Sequence, residues 1–234
     1  MLQLARGLRE PAKVTAGTRD DTGSDYDNKI EYNNNLFSLQ SLKQDYKNMA
    51  TGVAKYGGFY VGRYETSLLD ATATSAGTNE KVQSKQGVIP TSAANTTTSM
   101  WYGLYKRQYK TYSNESDSIE SNMIWGSQYD RILNWAKEGK DKNKITSSSY
   151  GNHDNVQEVV TTGNEKYAED SINNIRDLEG NMQEWTMEAY HTGYRILRGG
   201  TFNDATPHTP SRRSEAHPQS TIKYFGSRMT LYIK

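Results

Sequence analysis

Two stretches of the chain place their apolar residues at the spacing of an α-helix. In residues 38–55 the apolar positions follow a 3-4-3-4 spacing, and residues 127–137 show the same one-sided pattern. Ser38 can cap the first helix at its start, and two glycines end it. In the second, Ser127 resembles the first residue of a capping box. The two stripes consist of Leu39, Leu42, Tyr46, Met49 and Val53 and of Tyr129, Ile132, Leu133 and Ala136.

Other stretches have the composition of short strands. GFYVGRYE (58–65) is rich in aromatic and β-branched residues, while RILRGG (195–200) and RMTLYIK (228–234) show partial alternation of apolar and polar positions. Residues 70–98 and 137–162 are polar, which predicts long loops. Two main helices early and strands late predict an α+β fold with short strands and long loops.

The length of 234 residues, without a long linker, predicts one domain. Residues 1–35 are polar and show no periodicity, so we interpret 1–35 as an irregular N-terminal arm and 36–234 as the domain. The opening MLQLARGLREPAK has no apolar core of signal-peptide length. No segment has the length and hydrophobicity of a membrane span, so we expect no membrane insertion by this chain.

The composition excludes several classes of function. Lys and Arg number 28 against 27 Asp and Glu, a net charge of +1, whereas proteins that bind nucleic acid through charge usually have a basic excess. The chain has no cysteine, which excludes disulfides, thiolate metal sites and cysteine nucleophiles. Mean hydropathy is −0.91, but 17 Tyr and 4 Trp can organise a core with few aliphatic residues.

Five segments together resemble one protein family. In family order they are YGGFYVGRYE (56–65), MIWGSQYDRILNWA (123–136), NIRDLEGNMQEWT (174–186), RILRGGTF (195–202) and GSRMTLYI (226–233). The resemblance runs from about Ser38 to the C-terminus, and it implies a C-type lectin-like fold of the formylglycine-generating-enzyme type, the sulfatase-modifying factor family.

The activity of the founding enzyme is not expected in this chain. The resemblance implies an oxidase that holds copper with a pair of cysteines, and this sequence has none. The related sulfoxide synthases use iron bound by a separate histidine-rich domain, which is also missing. The four histidines lack a metal-binding spacing, and we expect each to be a solvated loop residue. They are His153, His191, His208 and His217.

Other catalytic arrangements are not evident either. There is no G-x-S-x-G motif or phosphate-binding glycine loop. Ser214, Glu215 and His217 are too close in sequence to converge as a triad on a strand or loop. We expect Glu188 to be a solvated or ion-paired surface group. The sequence therefore predicts no catalytic residues and no required cofactor.

The resemblance implies one possible metal, calcium. In the family, the loop matching residues 177–184 binds calcium through two side chains and two backbone carbonyls, and calcium takes such oxygen ligands readily. The alternative is that Asp177 caps a turn and that Glu184 pairs with Arg198 or Arg228. Both interpretations stay open at this point. The candidate ligands are Asp177, the carbonyls of Gly180 and Met182, and Glu184.

The segment from 201 to 225 carries a narrower resemblance. The segment is preceded by RGG and followed by GSR and an apolar strand, and this order of motifs is similar to that in variable proteins of diversity-generating retroelements. Those proteins display mutable residues for binding on phage tails or bacterial surfaces. Adenine-directed mutation of AAC codons yields many of the residue types found here. It cannot yield glutamate, glutamine or lysine, the residue types of Glu215, Gln219 and Lys223. Pro210 and Pro218 are expected to hold the loop. The candidate ligand-binding residues are Thr201, Phe202, Asn203, Asp204, His208, Arg212, Ser214, Glu215, His217, Ser220, Lys223 and Tyr224.

Two functional hypotheses result. The first is a non-catalytic binding protein that presents residues 201–225 to a protein or glycan on a cell or phage surface, with the phage virion or the bacterial surface as its place of action. The second is an accessory or unrecognised enzyme domain of the same superfamily, without the oxidase cysteines. A shallow exposed face favours the first hypothesis, and a deep cleft with convergent polar groups favours the second.

Overall fold

The computed structural model of this chain describes residues 2–5, 29–32, 35–70, 81–91, 101–109, 112, 118–153, 158–191, 194–205 and 208–234. Its elements, in chain order, are β1 (Leu2–Ala5), β2 (Lys29–Tyr32), β3 (Asn35–Ser38), α1 (Leu39–Tyr56), β4 (Gly58–Val61), β5 (Thr66–Leu68), β6 (Val82–Ser84), α2 (Trp101–Gln108), β7 (Ile119–Met123), α3 (Gly126–Lys137), β8 (Ser171–Ile172), β9 (Ile175–Arg176), β10 (Gln183–His191), β11 (Tyr194–Arg198), β12 (Arg213–Ala216), β13 (Phe225–Ser227) and β14 (Met229–Ile233). Two 3₁₀ turns, Lys142–Ile145 and Glu165–Tyr167, follow α3. The fold is α+β, as the sequence predicts.

One four-stranded sheet joins strands that are far apart in the chain. Its order is β1-β4-β14-β7, and every neighbouring pair is antiparallel. Thr230 of β14 lies opposite Val61 of β4 on one side and Asn122 of β7 on the other. The final strand of the chain is therefore an inner strand of the sheet, which agrees with its apolar sequence.

The second four-stranded sheet has the order β12-β11-β10-β13. The first three strands form an antiparallel meander, whereas β13 runs parallel to β10, with Glu184 opposite Gly226. β13 leads into β14 through a single residue, Arg228, so the two sheets meet at this point of the chain. This sheet carries the segment from 201 to 225.

Aromatic side chains organise the core. Trp101, Trp125 and Trp185 are at most 1% exposed. Trp125 meets Tyr46 of α1 edge-on, with 5.1 Å between ring centroids. Trp185 meets Phe225 in the same way, also at 5.1 Å. Each contact joins elements distant in sequence, which confirms that a few large rings compensate for the low aliphatic content.

The helices follow the predicted stripes. α1 packs against β14 and β4, and four of its predicted apolar positions, from Leu42 to Val53, are buried. α3 buries all four positions predicted for it, and the Gln128 side chain accepts a hydrogen bond from the Trp125 backbone at 3.0 Å, which caps its first turn. None of the described helices has both the length and the apolar character needed to cross a membrane.

The structure differs from the sequence-based expectations in three places. The arm at 1–35 is not irregular throughout, because β1 pairs with β4 and β2 pairs with β3; the rest of it lies outside the described residues. The described residues contain a third α-helix, α2, although only two helices were predicted. The loop at 70–98 contains β6, which pairs with β5, and residues 71–80 and 92–98 of it also lie outside the described residues.

Candidate functional site

The two sheets are joined by a buried ion pair. The Arg228 side chain is fully buried, and its Nε lies 2.9 and 3.1 Å from the two carboxylate oxygens of Glu184. The same guanidinium donates to the carbonyls of Gly62 and Arg176, at 2.9 and 2.8 Å. Burial lowers the pKa of Arg228, but the facing carboxylates of Glu184, Glu65 and Asp177 outweigh this and raise it, so the guanidinium stays charged.

A second buried carboxylate holds the loop that precedes β10. Glu65 accepts a hydrogen bond from the Met182 backbone at 2.9 Å and one from the Asn181 amide at 2.6 Å. Asn181 is also bonded to the backbone of Val160 and to Asn152. Burial raises the pKa of Glu65, and the nearby carboxylates of Asp177 and Glu184 raise it further. The loop from 177 to 182 is thus fixed from three sides.

Gly180 allows the same loop to pack closely against the backbone of Asn152. A Cβ atom added at Gly180 would lie 2.7 Å from the backbone nitrogen of Asn152 and closer still to its carbonyl oxygen. We expect Gly180→Ala to lower the free energy of unfolding by about 2–3 kcal/mol in urea denaturation, because backbone atoms must move apart. Gly87→Ala is the control: φ is +79° there but no atom lies within 4 Å, so only backbone strain of about 1 kcal/mol is expected. Equal losses in the two variants would contradict the packing explanation.

The predicted calcium ligands do not fit a cation in this arrangement. Both oxygens of Glu184 are bonded to Arg228, and Asp177 Oδ2 accepts a hydrogen bond from the Gly163 backbone at 2.7 Å. A buried guanidinium beside the site would also repel a second cation. Among the described residues, no group of three or more His, Asp or Glu side chains is placed to bind a metal. The alternative interpretation, with Asp177 at a turn and Glu184 paired with Arg228, matches the geometry.

The loop from 177 to 182 in turn anchors the start of residues 201–225, the predicted display segment. The Gly200 backbone donates to the Glu179 carbonyl at 3.0 Å, and the Phe202 backbone donates to the Asn181 carbonyl at 2.9 Å. Asp204 closes a turn by accepting from the Thr201 backbone at 2.6 Å. Residues 200–204 are therefore fixed to the buried network rather than left as a free loop.

Polar pairs and a buried proline hold the middle of the segment. Asp204 lies 3.5 Å from Arg212 and 3.9 Å from the ring of His208, an ion pair only when the histidine is protonated. The buried Pro210 accepts a hydrogen bond on its carbonyl from the Tyr129 hydroxyl at 3.3 Å. The polypeptide then enters β12, which is paired with β11 and forms one edge of the sheet.

The last part of the segment turns back to the core through Pro218. Its carbonyl accepts a hydrogen bond from the Trp101 backbone at 3.0 Å, and Pro218 itself is buried. His217 is exposed and accepts a bond on Nδ1 from the Gln219 backbone at 3.3 Å. Tyr224 packs edge-on against the ring of Phe202, with 6.2 Å between centroids. Both prolines hold the loop as predicted.

Exposure divides the predicted ligand-binding residues into three groups. Thr201 and Phe202 are buried, at 2% and 1%, so their side chains belong to the frame and offer no surface to a ligand. The exposed residues are Asn203, Glu215, His217 and Lys223, and the half-buried ones are Asp204, His208, Arg212, Ser214, Ser220 and Tyr224.

One aromatic residue outside the predicted segment joins this surface. Tyr194, at the start of β11, is 39% exposed, and its ring lies edge-on to His217 with 6.2 Å between centroids. Tyr194 was not predicted as a binding residue because it precedes the RGG motif, and only the pairing of β11 with β12 places it here. We call Tyr194, Asn203, Glu215, His217 and Lys223 the display face.

A half-buried ion pair lies next to the display face. Glu188 is fully buried, and its carboxylate accepts from Arg213 Nε at 2.8 Å. The expectation of a surface position for Glu188 is wrong, although it is ion-paired as the sequence suggested. Arg195 of the neighbouring strand stacks over the ring of Trp101 at 4.2 Å and donates to the Met187 carbonyl at 3.0 Å. These contacts fix β12 to the body of the sheet.

The histidines do not share one environment. His217 is exposed and His208 half-buried, whereas the His153 side chain is 11% exposed and lies 3.8 Å from the carboxylate of Glu179. His153 is therefore not the solvated residue that we expected. The side chain of His191 lies outside the described residues.

Comparison with protein families gives a match to this chain. The family model described as sulfatase-modifying factor enzyme 1-like domain matches residues 71–232. A search of curated proteins finds no significant match. The matched range contains both α2 and α3, the second four-stranded sheet and the buried network of Asp177, Glu184 and Arg228.

Proposed function

We propose that this chain, which belongs to the family of sulfatase-modifying factor enzyme 1-like domains, is a non-catalytic binding protein. The display face is its binding surface, and a protein or glycan on a bacterial cell or phage surface is its ligand. The scaffold under this face is C-type lectin-like, as the resemblance of the five segments implies. The absence of cysteine removes the copper chemistry of the founding enzyme from this chain.

The observation that carries the proposal is the alternation of fixed and exposed positions from 194 to 225. Thr201, Phe202, Pro210, Pro218 and Phe225 are buried and anchor the polypeptide. Asn203, Glu215, His217 and Lys223 lie between these anchors and are exposed, and the exposed Tyr194 of β11 lies beside His217. A rigid backbone that presents tyrosine and histidine loses little conformational entropy at these positions on binding, as in antibody paratopes.

A direct binding experiment tests the proposal. Fluorescently labelled protein is applied to an array of bacterial surface glycans and to whole bacterial cells, and the signals are compared with those of the Tyr194→Ala/His217→Ala double variant. We expect at least a tenfold loss of signal in the variant, because it removes the exposed aromatic pair. Lys47→Ala on α1 is the control and should bind like the wild type. Unchanged binding by the double variant would exclude the display face as the binding surface.

We also propose that a retroelement diversifies the display segment. The support is its position between RGG and GSR and the residue types that adenine mutation of AAC codons can produce, among them Asn203, His217 and Tyr224. Glu215, Gln219 and Lys223 fall outside that set, so this proposal requires them to be fixed or to arise from other template codons. A near-copy of the 3′ coding segment that differs only at adenines, next to a reverse-transcriptase gene, is the expected genomic finding. A genome without such a copy would limit the proposal to an ordinary binding loop.

A further inference from the structure

A short hairpin away from the display face stands between two clefts. β8 and β9 are connected by Asn173 and Asn174, whose φ angles of 49° and 66° give a tight turn. One cleft, of about 360 Å³, lies toward the end of α3, and the other, of about 330 Å³, lies toward the turn after β4. Ser171 and Asn174 line both clefts, so the two clefts adjoin at the hairpin, and we call them together the groove.

The walls of this groove are held in place by hydrogen bonds. Asp141 accepts from the Asn173 backbone at 2.8 Å, and Lys144 donates to the carbonyls of Glu169 and Ser171 at 2.6 and 3.1 Å. On the other side, Gln86 donates to the Gly163 carbonyl at 3.0 Å. A groove that is already ordered requires little rearrangement when a ligand binds.

Positive charge exceeds negative charge along the groove. Its cationic residues are Lys140, Lys144, Arg63 and Arg176, and its carboxylates are Asp141 and Glu165. Both carboxylates are already engaged, Asp141 with Asn173 and Lys144, and Glu165 with Arg176 at 3.5 Å and with Gln86.

Two of the cations are available to a ligand. Lys140 and Arg63 are exposed, and within the described part of the chain neither side chain has an ion-pair partner. The groove therefore presents positive charge at each end.

Each cleft also contains one aromatic residue. Trp135 lines the cleft near α3, and Tyr64, whose hydroxyl lies 3.2 Å from the Gln86 amide oxygen, lines the other. Aromatic surfaces accept the apolar C–H faces of sugar rings, and amides such as Asn174 bond hydroxyl groups. Arg and Lys bind carboxylate groups.

We propose that this groove binds an acidic oligosaccharide, with one sugar ring against Trp135, another against Tyr64, and carboxylates at Lys140 and Arg63. The site shares no residue with the display face, so it is independent of the function proposed above. Polyglutamate would bring charge to the groove but no rings for the two aromatic residues to contact.

Isothermal titration of the full chain with a short oligogalacturonate tests this site. Its methyl-esterified form is the matched probe, since it keeps the sugar rings and removes the charge. We expect the acid to bind at least tenfold more tightly than the ester. The Arg63→Ala/Lys140→Ala variant should bind the acid at least tenfold more weakly than the wild type, while Lys47→Ala/Lys81→Ala, which removes two exposed charges elsewhere, should bind like the wild type.

Several results would overturn the proposal. They are the absence of oligogalacturonate binding by the wild type, equal losses in the two double variants, and tighter binding of polyglutamate or of oligothymidylate than of the sugar acid. The display-face variant Tyr194→Ala/His217→Ala must retain oligogalacturonate binding, so failure of one proposal is distinguishable from failure of the other. Thermal melts of all variants establish that each is folded.

Discussion

Replacing Arg228 with methionine is expected to lower the free energy of unfolding by about 3–5 kcal/mol, because the Glu184 carboxylate would stay buried without its partner. Arg228 is fully buried and bonds both oxygens of Glu184 and the carbonyls of Gly62 and Arg176. It is the only residue between β13 and β14, so these bonds also join the two sheets. Urea denaturation followed by tryptophan fluorescence measures the loss.

Two further variants separate the ion pair from simple packing. Adding Glu184→Gln to Arg228→Met is expected to recover part of the stability, because the buried charge is removed. Arg212→Met is the matched control: its side chain is 30% exposed and pairs with Asp204 at 3.5 Å, so a loss below about 1 kcal/mol is expected. If the double variant were less stable than Arg228→Met, the unpaired carboxylate could not be the cause.

The stability of the protein is expected to fall as pH rises from about 4 to 7, and Asp170→Asn is expected to remove much of this dependence. Burial, and to a smaller extent the charge of Asp177, raise the pKa of Asp170 to about 7 against the opposing effects of the Glu179 backbone, Arg228 and Lys144. Among the described residues, no group donates a hydrogen bond to Asp170 Oδ2. The carboxyl group of Asp170 therefore binds its proton more tightly in the folded protein than in the unfolded chain.

The direction of this change in stability with pH follows from proton binding by Asp170. Because the pKa of the folded state lies above 3.8, the unfolded value, the contribution of Asp170 is fully present below pH 3.8 and is lost as pH passes about 7. A difference of about three pKa units corresponds to about 4 kcal/mol. Burial also raises the pKa of the neighbouring Glu179, to about 8, so its contribution decreases in the same direction.

Urea denaturation at pH 4 and pH 8 measures this effect. Asparagine carries no charge at either pH, so Asp170→Asn should be more stable than the wild type at pH 8 and close to it near pH 4. The exposed Glu158→Gln is the control, and its pH dependence should match that of the wild type. Parallel curves for Asp170→Asn and the wild type would mean that Asp170 ionises normally in the folded protein.

Periodicity predicted the elements whose two sides differ. α1 begins at Leu39 and α3 at Gly126, each one residue from the predicted start, because one side of each helix is buried and the other is polar. α2 was missed for the opposite reason: in Trp101–Gln108 even Arg107 and Gln108 are buried, so no one-sided pattern remains. β1 was missed because four residues are too few to show a period and their partner, β4, lies more than fifty residues away.

The candidate site was predictable only in part. The polar composition of 201–225 and the two prolines indicated a held, ligand-accessible segment, but not which side chains face inward. Phe202 has a residue type suited to binding, yet it is buried because its backbone is bonded to Asn181 and its ring meets Tyr224. Tyr194 enters the display face through strand pairing, which local sequence does not encode.

The sequence by itself determined the α+β class, the two one-sided helices, the absence of cysteine chemistry and the five segments that identify the family. These follow from local periodicity, from composition and from order along the chain. Only the tertiary structure decided that Glu184 pairs with Arg228, that Glu65 holds the 177–182 loop and that the groove at β8 and β9 exists. Each of these joins residues distant in sequence, and long-range pairing depends on how the sheets bury their charges rather than on any local pattern.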